Sequence, residues 1–156
     1  MKIQSKPEPQ FSLLTRLGEL FYQWLTGFVD GEGSFQINLL KNSKGNITKF
    51  SFLFKINLHV DDKNVLFAII ELLNMVKVYN ITYKSNEKRE KRAGIYLCTL
   101  RITRKEDLCK LISIFNKYHL NGIKYIDYID FVKAYNLYFN RKNGILLKEL
   151  ISQIFN

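Results

Sequence analysis

Cysteine is scarce: Cys98 and Cys109 are the only two in 156 residues, too few for a disulfide framework or a zinc ligand set. Long apolar runs are missing as well. The longest, Val65–Ile70, is far too short to cross a bilayer, so no membrane partner is expected, and residues 1–18 lack the apolar stretch of a secretory signal. Acid is the minority charge, with 14 Asp and Glu against 24 Lys and Arg, leaving +10 at neutral pH. At 47% hydrophobic and 14% aromatic, however, the chain is too apolar for a disordered basic tail. These exclusions leave an intracellular folded domain, long enough for one core, with a polyanionic partner. Alanine is rare, at 3 residues, whereas Ile (17), Asn (14) and Lys (18 against 6 Arg) abound. AT-rich codons specify those residues, which points to an AT-rich genome such as an organelle's.

The positive charge is uneven. Residues 1–40 hold Lys2, Lys6 and Arg16 against Glu8, Glu19, Asp30 and Glu32, so the whole excess lies from Lys41 onward. Scattered lysines alone describe any solvated surface. Their placement on strands favours nucleic acid, and no helix carries the one-sided basic face that a membrane surface would select.

Residues 1–18 read as an N-terminal lead-in, with both prolines inside Met1–Gln10, and 19–156 as a single domain. Over Ser12–Asp30 the residues Leu17, Leu20, Phe21, Trp24, Leu25 and Phe28 recur at helical spacing, and Gly31 and Gly33 are expected to stop the helix. Ser34–Leu40 then alternates, with Phe35, Ile37 and Leu39 opposite Ser34, Gln36 and Asn38. After a turn over Lys41–Lys49, Phe50–Val60 places Phe50, Phe52, Phe54, Ile56, Leu58 and Val60 on one side. Ser51, Lys55, Asn57 and His59 take the other side, with Leu53 the exception. Asp62 is placed to cap a helix running to about Asn74. Val76–Lys84 and Ile95–Thr103 suggest a second hairpin whose polar face carries Asn80, Thr82, Lys84, Thr99, Arg101 and Thr103. Helices are expected at about 104–118, 122–139 and 145–155. This order predicts an α+β fold: a four-stranded antiparallel sheet with helices on its apolar face and an open, basic face able to lie in a DNA major groove. An ordinary solvated face is the bland alternative.

Leu25–Gly33 carries the chemistry. Gly27 and Gly31 lie four apart on one helix face, and each interior glycine costs about 1 kcal/mol relative to alanine. Close approach of a second helix backbone would offset that cost. Asp30 and Glu32 fall at the negative end of the helix dipole, where a bound cation would compensate them. With a second copy packed on the glycines, two such acid clusters could hold divalent metal against a phosphate backbone. A glycine-capped helix followed by acidic turn residues fits the same letters equally well.

The stretch Trp24–Phe35, WLTGFVDGEGSF, closely resembles the signature of LAGLIDADG homing endonucleases; Leu25, Gly27, Asp30 and Gly33 match the nine-letter motif literally. Phe54–His59 with Asp62 resembles the family's second strand and helix start, and Ile102–Leu108 its fourth strand entering a helix. Lys117–Leu120, then Lys124, Asp127 and Tyr128, resembles its segment ending in a basic residue near the active site. The matches run in family order from about residue 19 to 140.

The resemblance implies the αββαββα homing-endonuclease fold and a site-specific DNA endonuclease. Glu32 matches the metal-binding acid and the Gly31 carbonyl a ligand beside it. Lys124 matches the basic residue at the scissile phosphate, His59 a polar residue that orders active-site water, and Asp30 a structural acid tying the helix pair. The plain alternatives are a solvated lysine and a DNA-facing histidine without catalytic duty. Mg2+ is the implied cofactor, with Mn2+ a substitute. One motif implies a homodimer meeting at Gly27, Asp30 and Gly31 and making a staggered double-strand cut in a long, near-palindromic target; half of a two-motif enzyme is conceivable at this size. Gln36, Asn38, Lys55, Asn57, Asn80, Thr82 and Arg101 would contact double-stranded DNA. The family reading also implies an intron-encoded protein of a mitochondrion or plastid. The alternatives are an intron maturase, which binds intron RNA on the same fold, and a DNA-binding regulator with a degenerate site.

Overall fold

Apolar residues at a period of two build four strands, each pairing antiparallel with its neighbours in the order β1-β2-β4-β3. The computed structural model describes residues 10–75, 82–84, 97–141 and 146–155. Along the chain these are α1 (Gln10–Glu32), β1 (Gly33–Lys41), β2 (Ile47–His59), a 3-10 turn (Val60–Asp62), α2 (Lys63–Leu72), β3 (Thr82–Lys84), β4 (Leu97–Ile102), α3 (Lys105–Lys117), α4 (Gly122–Phe139) and α5 (Leu147–Phe155). The α+β architecture and the expected sequence of helices and hairpins are therefore present. Thr82 pairs with Thr99 in the outer hairpin, whereas Asn80 lies outside the described residues.

The helices pack on one face of the sheet through aromatic side chains. Phe35 of β1 meets Phe54, Phe115, Tyr128 and Phe131 at centroid distances of 5.2–6.0 Å. On α4, Tyr128, Phe131, Tyr135 and Tyr138 recur at intervals of three and four, and all are buried. Buried hydroxyls need partners: Tyr128 donates to the Ile112 carbonyl (3.0 Å) and Asn116 Oδ1 (2.7 Å), and Tyr135 to the Lys105 carbonyl (3.0 Å). These bonds join α4 to α3.

Three local expectations need correction. First, α1 does not stop at Gly31; it continues to Glu32 and enters β1 directly. Neither Gly31 nor Gly33 has the positive φ of a C-terminal glycine cap. Gly33 is needed for space, because a Cβ there would lie 2.5 Å from Val29 Cγ1 and 2.8 Å from the Val29 carbonyl oxygen. Second, β2 begins at Ile47, inside the expected turn, and ends at His59, leaving Val60 in the 3-10 turn. Third, Asp62 precedes α2 but makes no side-chain capping bond, because the 3-10 turn satisfies that end of the chain.

Candidate active site and nucleic-acid interface

The segment between α3 and α4 runs alongside α1 and holds it at three points. Lys117 Nζ donates to Glu19 Oε1 at 2.8 Å. Tyr118 stacks on Tyr22 at 5.3 Å, and its carbonyl lies 3.5 Å from the Thr26 hydroxyl, which donates to the Tyr22 carbonyl at 2.8 Å. Asn121 closes the series: its backbone N–H donates to Asp30 Oδ1 (2.8 Å) and its Nδ2 to Asp30 Oδ2 (3.0 Å). Glu19 to Asp30 spans about 16 Å of helix, close to the reach of four extended residues, so the match in length is geometric. The ion pair draws the Glu19 carboxyl below its ordinary range and raises Lys117 above its own.

The two motif acids consequently have different surroundings. Asp30 is half-buried, with both oxygens engaged at the N-terminus of α4, where the helix dipole favours a carboxylate. Asn121 and the α4 N-terminus compensate it, and the tie it makes lies within one chain. Glu32, the last residue of α1, is exposed and makes no hydrogen bond or ion pair to a described residue. The last four carbonyls of a helix, Gly31's among them, also lack intrahelical donors. Hard oxygen donors at the negative end of a dipole suit Mg2+ or Mn2+. Among the described residues, however, no group of three or more His, Cys, Asp or Glu could hold a metal.

Lys124 sits in the first turn of α4, half-buried, and makes no ion pair to a described residue. With Asp30, Asn121, Gly122, Ile123 and Asp127 it lines an open pocket of about 390 Å³; Glu32 is not among the lining residues. Gly122 takes φ +59°, the left-handed conformation that turns the chain into α4. His59 lies at the end of β2, three residues beyond the Ile56–Gly33 pair where β1 starts. Its Nδ1 is 3.4 Å from the Asp61 N–H and 3.1 Å from Asp61 Oδ2, so the imidazole caps the 3-10 turn.

The sheet's other face carries the expected polar set. Asn38, Asn57 and Arg101 are exposed, and Gln36 and Lys55 are half-buried. Lys55 faces Arg101 across β2 and β4, and Asn57 faces Thr99. Gln36 Nε2 donates to Ser34 Oγ at 3.2 Å, whereas Asn57 Oδ1 accepts from the Thr99 hydroxyl at 2.8 Å. Leu53 sits opposite Gln36 at 2% exposure yet stands apart from the core cluster. Thr82 joins this face by backbone pairing alone.

The helix that ends in Asp30–Glu32 and the sheet beside it can be compared with known proteins. A family model described as LAGLIDADG endonuclease matches residues 25–135. The chain belongs to the LAGLIDADG family. Among curated relatives, the probable intron-encoded endonuclease Cox1-I1b of Schizosaccharomyces pombe is 33% identical over 115 residues, covering 74% of this chain and 27% of its own length. The uncharacterized mitochondrial protein RF1 of Saccharomyces cerevisiae is 30% identical over 137 residues, covering 85% and 26%. The chain thus spans about a quarter of the curated relatives it matches. Among solved LAGLIDADG structures, the homing endonuclease I-TnaI superposes with a TM-score of 0.67 at 25% identity, over 85% of this chain and 82% of that one. I-GzeII in complex with its DNA target gives 0.68 at 26% identity, over 85% and 42%.

Sequence reasoning missed Asn121 and Thr99 as partners of site residues. An Asn-Gly pair ahead of a helical run is a cap signal that could have marked Asn121; Thr99 carried none beyond its place on the polar face. The LAGLIDADG helix also has two apolar faces, one more than its periodicity suggested. Leu25 and Val29 are buried, whereas Leu17 (55%), Leu20 (61%) and Trp24 (46%) stand in solvent in line with Gly27 and Gly31.

Proposed function

We propose that this chain is an intron-encoded homing endonuclease of an organelle, most simply the mitochondrion, that hydrolyses DNA phosphodiesters at a long, near-palindromic site with a staggered double-strand cut. The observation that carries the reading is the division of labour between the motif acids: Asp30 is consumed by the fold, and Glu32 has no partner among the described residues at a helix C-terminus. Glu32 and the Gly31 carbonyl would hold a divalent cation, Mg2+ or Mn2+ in its place. When bound, such an ion stabilises charge on the phosphoryl group and favours ionisation of water. Lys124 brings an ammonium with no ion pair among the described residues to the pocket beside Asp30, where it donates to a phosphate oxygen. His59, oriented by Asp61, orders water at the strand end. Gln36, Asn38, Lys55, Asn57, Asn80, Thr82 and Arg101 contact base edges and phosphates of duplex DNA.

A second copy completes the site. Among the described residues nothing lies within 4 Å of a Cβ built on Gly27 or Gly31, so none of them offsets the helix cost. The exposed stripe Leu17, Leu20, Trp24, Gly27, Gly31 has the three-four spacing of a helix pair. A homodimer packed there, around Gly27, Asp30 and Gly31, brings two Glu32 residues together about a twofold axis, which matches a near-palindromic target.

The test is cleavage of a randomised duplex library in Mg2+, with cut ends sequenced beside a Glu32→Gln control. Near-palindromic sites with staggered ends, absent from the control, are expected. Cut sites without twofold symmetry would overturn the homodimer and indicate half of a two-motif enzyme. Binding of intron RNA or DNA without cleavage would overturn the nuclease and leave a maturase or a regulator.

A further inference from the structure

The polar side of β1 ends in a leucine. Ser34, Gln36, Asn38 and Leu40 share that side, while Phe35, Ile37 and Leu39 pack against the core. Leu40 is 47% exposed, and it is the one exposed large apolar side chain that the described strands carry. Leu53, on the same side of the sheet, is 2% exposed and offers a ligand almost no surface. Leu40 is also held in place, although it stands near a hairpin tip. It makes the last regular pair of β1 with β2, opposite Lys49, before the register shifts at Lys41. Its carbonyl accepts from the Thr48 hydroxyl at 3.2 Å. The turn beyond closes on Asn42, whose Oδ1 accepts from the backbone N–H groups of Lys44 (3.0 Å) and Asn46 (2.9 Å). The Asn42 N–H donates to the Asn46 carbonyl at 2.9 Å, and the Gly45 N–H to the Asn42 carbonyl at 3.0 Å. Lys44 and Lys49 are exposed around this tip, ammonium groups suited to phosphate.

We infer that Leu40 is a specificity-determining residue that selects a thymine by its 5-methyl group. The inference rests on the proposed reading of DNA by this face of the sheet. The thymine methyl is the apolar group that protrudes from a base edge into the major groove. Leucine has neither donor nor acceptor, so against N7, O6, O4 or an amino group it strips water and returns no hydrogen bond. Against the methyl, both partners withdraw apolar surface from water. The fold also limits where that thymine lies. β1 starts beside Glu32, and Leu40 stands seven residues beyond Gly33, about 23 Å along the strand. One base-pair step is about 3.4 Å, so the thymine falls within about seven base pairs of the Glu32 end of β1. A homodimer repeats the contact once in each half-site.

The experiment selects sites from a randomised duplex library with the wild type, then replaces each selected thymine by uracil, which removes the methyl and nothing else. Binding of these duplexes is compared for the wild type, Leu40→Ala, Leu40→Asn and Leu40→Met. At one position per half-site the wild type should prefer thymine, and uracil there should weaken binding about fourfold, the scale of one buried methyl. The same uracil should cost Leu40→Ala and Leu40→Asn nothing, because crossing the two deletions isolates the side chain–methyl pair. Leu40→Met stays apolar and should keep the effect. Leu40 is exposed, so each variant should melt within about 2 °C of the wild type. The wild-type uracil scan needs no variant and decides the matter even for a variant that melts early. A wild type that selects no thymine within reach, or is indifferent to uracil at every one, overturns the inference. So does a uracil effect that Leu40→Ala retains at every position. Failure of the function reads differently: a wild type that binds no duplex overturns the DNA-reading face and the thymine assignment with it, whereas sequence-specific binding that ignores the methyl overturns the thymine assignment alone.

Discussion

Substituting the two motif acids one at a time should affect two different assays. Asp30→Ala removes a carboxylate that accepts from Asn121 at 2.8 and 3.0 Å. Hydrogen bonds to a charged acceptor contribute about 1.5–3 kcal/mol each when buried. Asp30 is half-buried and Asn121 exposed, so water replaces part of the loss; about 2 kcal/mol for the whole bridge is the working figure. In a chain of 156 residues 1 kcal/mol moves Tm by roughly 2–4 °C, which places the fall at roughly 4–8 °C by scanning calorimetry. Asn121→Ala should give a similar loss, and the double variant little more, because the same bonds are removed in each. Glu32→Gln alters an exposed side chain with no partner among the described residues and should shift stability by no more than about 0.5 kcal/mol. Its cost appears in cleavage, which should fall by about 10²–10³-fold or more, as for the loss of one group that stabilises transition-state charge. Equal Tm losses from Asp30→Ala and Glu32→Gln would refute the division of roles, as would full additivity of Asp30→Ala with Asn121→Ala.

Gly33→Ala forces a methyl to within 2.5 Å of Val29 Cγ1 and 2.8 Å of the Val29 carbonyl, and should cost about 2 kcal/mol or more in denaturant melts. Val29→Ala should not rescue it, because the carbonyl remains. Gly27→Leu fills space that no described residue occupies and replaces a poor helix former, so the isolated chain should be no less stable while self-association is lost in sedimentation. Glu19 sits below its ordinary pKa because Lys117 hydrogen-bonds its carboxylate, so the pair stabilises above the usual carboxylate range and is lost as pH falls through the depressed value. The Tm gap between wild type and Glu19→Gln should therefore be present at neutral pH and close below about pH 4. A gap that widens in acid would contradict the pairing.

Most of the fold was legible because period-two and period-three-four patterns are local, whereas the β2–β4 pairing that joins the two hairpins had no local signal. Bonds between residues far apart in the chain leave no such trace. Asp30 meets Asn121 and Glu19 meets Lys117 across about ninety residues, and no periodicity links them. Leu53 broke the alternation in the sequence and remains an apolar residue on the polar face, buried without joining the core. The glycines show the limit most clearly. Gly31 and Gly33 fit a helix stop on paper, yet Gly33 answers to Val29 beneath it, while Gly27 and Gly31 answer to nothing among the described residues. The acids divide the same way. Sequence physics poses one problem for both, negative charge at a negative helix end. The N-terminus of α4 solves it for Asp30. Glu32 keeps the problem, in line with two glycines that keep theirs. Both gaps lie on one helix, where the proposed cation at the acid and the proposed second helix at the glycines would close them.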